Sequence, residues 1–231
     1  MKINKDAIIE GLIIPVFKPI NWTSFDVVKK IRSDFKKLFD LKKIKVGHAG
    51  TLDPLATGLL LICTGKKTKE IEKLQNLDKT YYATFCIGKT TPSFDRETEF
   101  DKNYPTDHIN NKLINESMSS FIGEIRQQPP IYSALKVKGK RLYDMARKGE
   151  NIKINYRKIK IYDFNLISNT FPELDFKIVC SKGTYIRSLA YDFGKKLNSG
   201  AYLKYLERFS IGDYNIKNSM TVDQINKLLF E

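Results

Sequence analysis

The run from Lys45 to Gly65 constrains this chain more than any other stretch. It reads Lys-Val-Gly-His-Ala-Gly-Thr-Leu-Asp-Pro-Leu-Ala-Thr-Gly-Leu-Leu-Leu-Ile-Cys-Thr-Gly. One carboxylate (Asp53), one imidazole (His48) and one proline sit among small and apolar residues. The glycines at 47, 50 and 58 allow backbone turns where a side chain would clash. Pro54 pushes Asp53 away from helical dihedrals toward an extended shape. Leu59 to Cys63 then predicts a buried strand. A lone acid on a shaped loop beside the core suits a catalytic carboxylate. Asp-Pro is equally a common turn dipeptide, and spacing alone leaves both readings open. The segment is not a phosphate-binding loop: Leu60 stands where a glycine is needed, and no Ser or Thr directly follows Lys66. It is not a zinc deaminase signature either, since His48 has no glutamate two residues on and no Cys-x-x-Cys follows.

The 231 residues suffice for one large domain or two small ones, and with 42% hydrophobic residues the chain can build a core. A net charge of +14 points to a polyanionic partner, with nucleic acid the commonest. Only eight of the 40 basic residues are arginine, so a lysine-rich composition could give the same figure. Cys63, Cys86 and Cys180 lie far apart in apolar runs, which argues against a disulfide framework or a zinc site and for buried free thiols. No apolar run reaches the ~18 residues of a membrane helix, and no secretory leader is legible. A soluble, cytoplasmic protein is expected.

Along the chain, Gly11 to Phe17 predicts a strand leading into Lys18-Pro19. Thr23-Ser24-Phe25-Asp26 has the form of a capping box. Phe25, Val28, Ile31, Phe35 and Leu38 recur at helical spacing, so an amphipathic helix is expected over 24–39. Residues 81–87 predict a strand with Tyr81, Ala83 and Phe85 on one face. Residues 88–108 read as loop and Lys112 to Phe121 as a short helix. Residues 156–168 and 174–180 predict two strands, Ile186 to Leu197 a helix, and Thr221 to Glu231 a terminal helix. There is no internal repeat and no Pro/Gly/Ser linker, so one domain over 1–231 is expected.

Two further segments carry charge in a pattern. Pro130 to Tyr143 alternates basic with aromatic and apolar residues, as a phosphate backbone with exposed bases would require; a strand with a solvated lysine face is the plainer reading. A helix is expected to continue over Leu142 to Arg147. Ser181-Lys182-Gly183-Thr184-Tyr185-Ile186-Arg187 lies at a strand–turn–helix junction, where free backbone N–H groups favour an anion. Arg187 falls in the first helical turn, against the helix dipole, and a nearby carboxylate or phosphate would compensate it.

Gly47 to Gly58 resembles the catalytic motif of the TruB family of tRNA pseudouridine-55 synthases. Four other segments resemble that family in the right order: Lys18-Pro19 with Trp22-Thr23-Ser24, Asp78-Lys79-Thr80-Tyr81, Pro130 to Tyr143, and Ser181 to Arg187. Asn21 stands where the family usually has glycine, a mild change because Asn tolerates left-handed backbone. The family's additional C-terminal PUA domain is not legible in this sequence.

The resemblance implies the α+β pseudouridine synthase fold, with a mixed, largely antiparallel sheet, flanking helices and a central catalytic cleft. It implies an isomerase that converts a T-loop uridine of tRNA, position 55, to pseudouridine without metal or cofactor. The implied catalytic residues are Asp53 as nucleophile, Tyr81 stacked on the uracil and Arg187 as the cation beside the carboxylate. His48 is implied to fill the gap left by the extruded base. Lys18, Tyr185, Lys136, Lys138, Lys140, Arg141 and Lys182 are the expected substrate contacts, with Lys66 and Lys67 as further phosphate contacts. The expected partner is the tRNA T arm, with no membrane, no metal and a monomeric protein. A tRNA-binding or folding module without catalysis is the alternative; a glycosidic hydrolase would call for two carboxylates, and this loop supplies one.

Overall fold

The apolar run after Asp53 forms a strand buried on both of its faces. In the computed structural model, which describes residues 3–133, 135–137, 140–142, 145 and 154–230, it is β3 (Thr57–Thr64). Leu60 and Ile62 point into one hydrophobic cluster, and Leu59, Leu61 and Cys63 into another. Two-sided burial is why the run is continuous rather than alternating. The chain divides into two compact units, Met1–Tyr81 with Leu206–Glu231, and Tyr82–Tyr205.

In the first unit, α1 (Lys5–Glu10) precedes β1 (Ile13–Lys18), which pairs antiparallel with β3 from Ile13↔Cys63 to Lys18↔Gly58. The helix α2 (Ser24–Leu38) begins with the expected capping box: Thr23 Oγ1 accepts from the Asp26 amide, and the Asp26 carboxylate accepts from the Thr23 amide. Its buried stripe is Ser24, Val27, Val28, Ile31 and Phe35. Phe25 is 58% exposed, because Val27 rather than Phe25 shares the face with residues 24, 28, 31 and 35. The short β2 (Val46–His48) pairs antiparallel with the end of β3. Beyond β3 come a 3-10 turn (Gly65–Glu70) and α3 (Ile71–Gln75). The unit closes with the end of β12 (Ala201–Ile211), β13 (Tyr214–Asn215) and the helix over Val222–Phe230. β12 runs parallel to β3 through Glu207↔Thr57 and Arg208↔Gly58.

In the second unit, β4 (Lys79–Ile87, whose first three residues belong to the first unit), β11 (Glu173–Cys180), β10 (Arg157–Thr170) and β7 (Gly123–Gln127) lie side by side in that order. β10 is antiparallel to both neighbours. The helices α4 (Asn111–Ser119) and α5 (Ile186–Lys196) belong to this unit, and the terminal helix over Val222–Phe230 is α6. Phe85, Phe164, Phe176 and Phe193 form its aromatic core, with ring centroids 4.8 to 6.1 Å apart. The expected loop over 88–108 contains a two-residue ladder, β5 (Lys89–Thr90) with β6 (Lys102–Asn103). The hairpin β8 (Lys136–Val137) and β9 (Lys140–Arg141) carries the alternating basic segment. Most of the helix expected over 142–147 lies outside the described residues.

The strands and helices expected at 11–17, 24–39, 59–63, 81–87, 112–121, 156–168, 174–180, 186–197 and 221–231 are present within a few residues of their expected bounds. The strands β2, β7 and β12 and the helix α1 were not legible. All three cysteines are buried free thiols, and burial pushes Cys63 up to about 11. No helix among the described residues is long and apolar enough to cross a membrane.

Candidate active site

Asp53 lies on the loop between β2 and β3, half-buried. The loop is held by hydrogen bonds within itself and from elsewhere in the first unit. Ala49 N donates to Leu61 O at 2.9 Å, Asn21 N to Pro54 O at 2.8 Å and Ala56 N to Asp53 O at 3.1 Å. The buried Ser24 hydroxyl accepts from Leu52 N at 2.8 Å and donates to Leu52 O at 3.1 Å. Asn21 carries φ 65, as its glycine-like place in the Lys-Pro loop requires.

Two buried cations complete the frame. Lys18 is fully buried, and its ammonium donates to Pro19 O (2.8 Å), Trp22 O (2.6 Å) and Pro54 O (3.4 Å). Burial pushes its pKa down to about 8, while the Asp53 carboxylate pulls it up and Arg208 pushes it further down. The structure thus places Lys18 beneath the Asp53 loop, with its ammonium on backbone carbonyls. Arg208 is 1% exposed, and its guanidinium donates to Leu59 O (2.8 Å), Gly50 O (2.9 Å) and Thr51 O (3.4 Å). It is also hydrogen-bonded to the Tyr81 side chain and interacts electrostatically with Asp53.

Tyr81 is buried on the face that it shares with Ala83 and Phe85. His48, at the end of β2, is held below its ordinary pKa chiefly by burial and then by the Arg208 charge. It is therefore a neutral imidazole at pH 7. The structure brings Lys18, His48, Asp53 and Tyr81 together in one unit around a residue that the sequence reading passed over, Arg208. An arginine in the apolar and aromatic run 201–211 was the available signal, since a charge in a buried strand demands partners.

Most of the remaining predicted residues belong to the second unit. Arg187 is 3% exposed in the first turn of α5. Its Nη1 donates to Tyr132 O at 2.9 Å and Ser93 O at 3.3 Å, and its Nε stands 3.7 Å from the Asp95 carboxylate. Within its own unit, Asp95 sets a carboxylate beside Arg187; its polar loop gave no sequence signal. Gln127 clamps the start of α5, donating to Tyr185 O at 3.0 Å and accepting from Tyr185 N at 2.8 Å. The Tyr185 ring lies 4.9 Å from the Arg157 guanidinium, and Lys182 is exposed. Lys136, Lys140 and Arg141 sit on the β8–β9 hairpin, in register as Lys136↔Arg141 and Val137↔Lys140. Lys138 lies outside the described residues. In the first unit, Lys66 pairs with Glu10 and Lys67 with Glu70. No group of three or more His, Cys, Asp or Glu side chains among the described residues could hold a metal ion.

Comparison with known proteins identifies the family. A solved chain described as "Crystal Structure of a Cbf5-Nop10-Gar1 Complex" superposes with a TM-score of 0.70 at 27% identity, covering 95% of this chain; this chain spans only 54% of it. Residues 36–186 match the TruB family pseudouridylate synthase (N terminal domain), and the fold with its mixed, mostly antiparallel sheet is that of the pseudouridine synthases. The chain belongs to the TruB family and is an isomerase. It is 55% identical over 215 residues to tRNA pseudouridine synthase B of Flavobacterium johnsoniae, covering 93% of this chain and 94% of the relative. It is 50% identical over 220 residues to the protein of the same name from Phocaeicola vulgatus, covering 95% and 94%.

Proposed function

We propose that this chain isomerises a T-loop uridine of tRNA, position 55, to pseudouridine, with Asp53 as the nucleophile and the target base flipped out of its stack. The observation that carries the reading is the Asp53 loop itself. A single carboxylate stands on a backbone fixed by Ser24, Lys18 and Arg208, with the Tyr81 side chain on the same guanidinium. The names of the relatives supply tRNA as the substrate.

In this reading the C1′–N1 bond breaks, the uracil turns, and C5 joins C1′. The atoms balance within one nucleoside, because the C5 proton leaves as N1 regains one. Chemistry at C1′ and C5 cannot proceed inside a stacked loop, so the base must leave it. Stacking on an aromatic face is worth about 1–3 kcal/mol, comparable with the unstacking cost. Tyr81 serves as that face, and the neutral His48 fills the vacated stack without placing a charge among bases. Covalent catalysis requires Asp53 to be ionised. The Lys18 and Arg208 cations lie under the same loop. Arg187 enters from the family resemblance as the cation for the carboxylate, and within its own unit Asp95 and two carbonyls fix its orientation. Lys136, Lys138, Lys140, Arg141, Lys182 and Tyr185 are proposed to position the RNA. Neutralising several of these basic residues should flatten the salt dependence of binding by about 0.7–0.9 per lost phosphate contact.

The test is incubation of the pure protein with unmodified tRNA transcript, followed by carbodiimide treatment and primer extension, with Asp53→Asn alongside. A single new stop in the T loop, lost by about 10⁴-fold or more in the variant, is expected. Tight tRNA binding by both proteins with no stop from either would replace this reading with the non-catalytic binding module.

A further inference from the structure

We propose that Arg208 is a positioning residue for the reaction: one buried guanidinium holds the Asp53 loop and the Tyr81 side chain in fixed relation to each other. This rests on the reading of Asp53 as the nucleophile. Four separate observations support it.

The first is the acceptor set. Nε, Nη1 and Nη2 each donate to a different carbonyl, those of Leu59, Thr51 and Gly50. Gly50 and Thr51 lie just before Asp53, and Leu59 lies just after the loop, so the guanidinium ties both limbs together. The second is Tyr81, which hydrogen-bonds to the same guanidinium from a different strand. The third is charge: Asp53, His48 and Lys18 all interact electrostatically with Arg208, so one group sits among every first-unit residue of the site. The fourth is how the backbone makes room. β12 runs against β3 with Arg208 opposite Gly58. Gly58 has φ +108, and a Cβ there would lie 2.7 Å from Arg208 N. Glycine at 58 in the motif therefore lets β12 approach closely enough to deliver Arg208 beneath the loop.

Lysine cannot reproduce this arrangement. Its ammonium is a point donor, whereas the planar fork presents five N–H groups in fixed directions. A loop displaced by a fraction of an ångström would still bind RNA, because the RNA-facing surface is unchanged, but it would misalign the nucleophile.

The experiment compares full-length wild type with Arg208→Lys and Arg208→Gln. Three quantities are measured: the single-turnover rate of pseudouridine formation on tRNA transcript, the dissociation constant for that tRNA, and the folded fraction from a thermal melt. The expected result is tRNA affinity within about twofold of wild type in folded Arg208→Lys. Its single-turnover rate, per folded molecule, should be about 10–100-fold lower. Arg208→Gln should be slower still, with lysine giving partial rescue. An unchanged rate in either folded variant overturns the proposal, as does a rate loss matched by an equal loss of affinity. Failure of both variants to fold assigns Arg208 to the fold alone and also overturns it. Asp53→Asn runs in parallel: if it stays active, the nucleophile reading has failed, whatever Arg208 does.

Discussion

The Asp53 loop keeps its shape because two buried cations occupy its carbonyl oxygens, whereas the Arg187 turn keeps a buried cation in place with a carboxylate and carbonyls. In the first region the charges under the loop, Lys18 and Arg208, come from strands at opposite ends of the sequence. In the second, Asp95, Ser93 and Tyr132 supply the acceptors, and the Gln127 amide pins the backbone next to Arg187. Buried charge is tolerated only when its donors or acceptors are filled. The first region fills them mainly with backbone and leaves its carboxylate half-buried. The second adds a full counter-charge. The difference suits the proposed roles of Asp53 as a reacting group and Arg187 as a fixed cation.

Breaking the second region should have the larger effect on stability. Asp95→Asn leaves the Arg187 guanidinium buried without that carboxylate. The variant is expected to lose about 3 kcal/mol of unfolding free energy, at the low end for a broken buried pair because carbonyl acceptors remain. Denaturant melts read this directly, and a loss below about 1 kcal/mol would show that the carbonyls alone suffice.

Lys18 sharpens the comparison from the other side. Its folded pKa of about 8 lies below the ordinary 10.5. Between those values the unfolded chain holds a proton that the folded chain has released. Stability from this group therefore rises with pH through that window. The stability of wild type relative to Lys18→Met should grow by up to about 1.4 kcal/mol per pH unit from pH 8 to 10. A flat difference would mean that the ammonium is solvated, and the backbone-filled frame beneath Asp53 would lose one of its two cations.

His48 gives the smallest effect. Its pKa is lowered from 6.5, so the unfolded chain binds a proton below that pH before the folded chain does. The stability it contributes is complete above pH 6.5 and is lost as pH falls. Wild type should lose stability faster than His48→Gln between pH 6.5 and 5, with a slope difference below about 1.4 kcal/mol per unit. Parallel pH profiles of the two proteins would place the imidazole in water.

Local chemistry made much of this molecule legible. The capping box at Thr23, the helical spacing of Val28, Ile31 and Phe35, the continuous apolar run of β3 and the glycine-bounded Asp53-Pro54 turn all act within a few residues, so the linear pattern carries them. Five motifs in order carried the family. What sequence pattern left dark depends on contacts far apart in the chain. β12 looked like no strand because its burial is set by packing, and Arg208 within it reaches Gly50 across 158 positions. Asp95 sits in a polar loop indistinguishable from a solvated one until Arg187 arrives 92 residues later. The burial of Lys18 was equally dark, because a lysine's ordinary place is in water; only the folded loop brings three carbonyls onto its ammonium. The sequence by itself determined which groups could do chemistry. The tertiary structure decided which charges are buried, because filling a buried donor requires acceptors that no single segment contains.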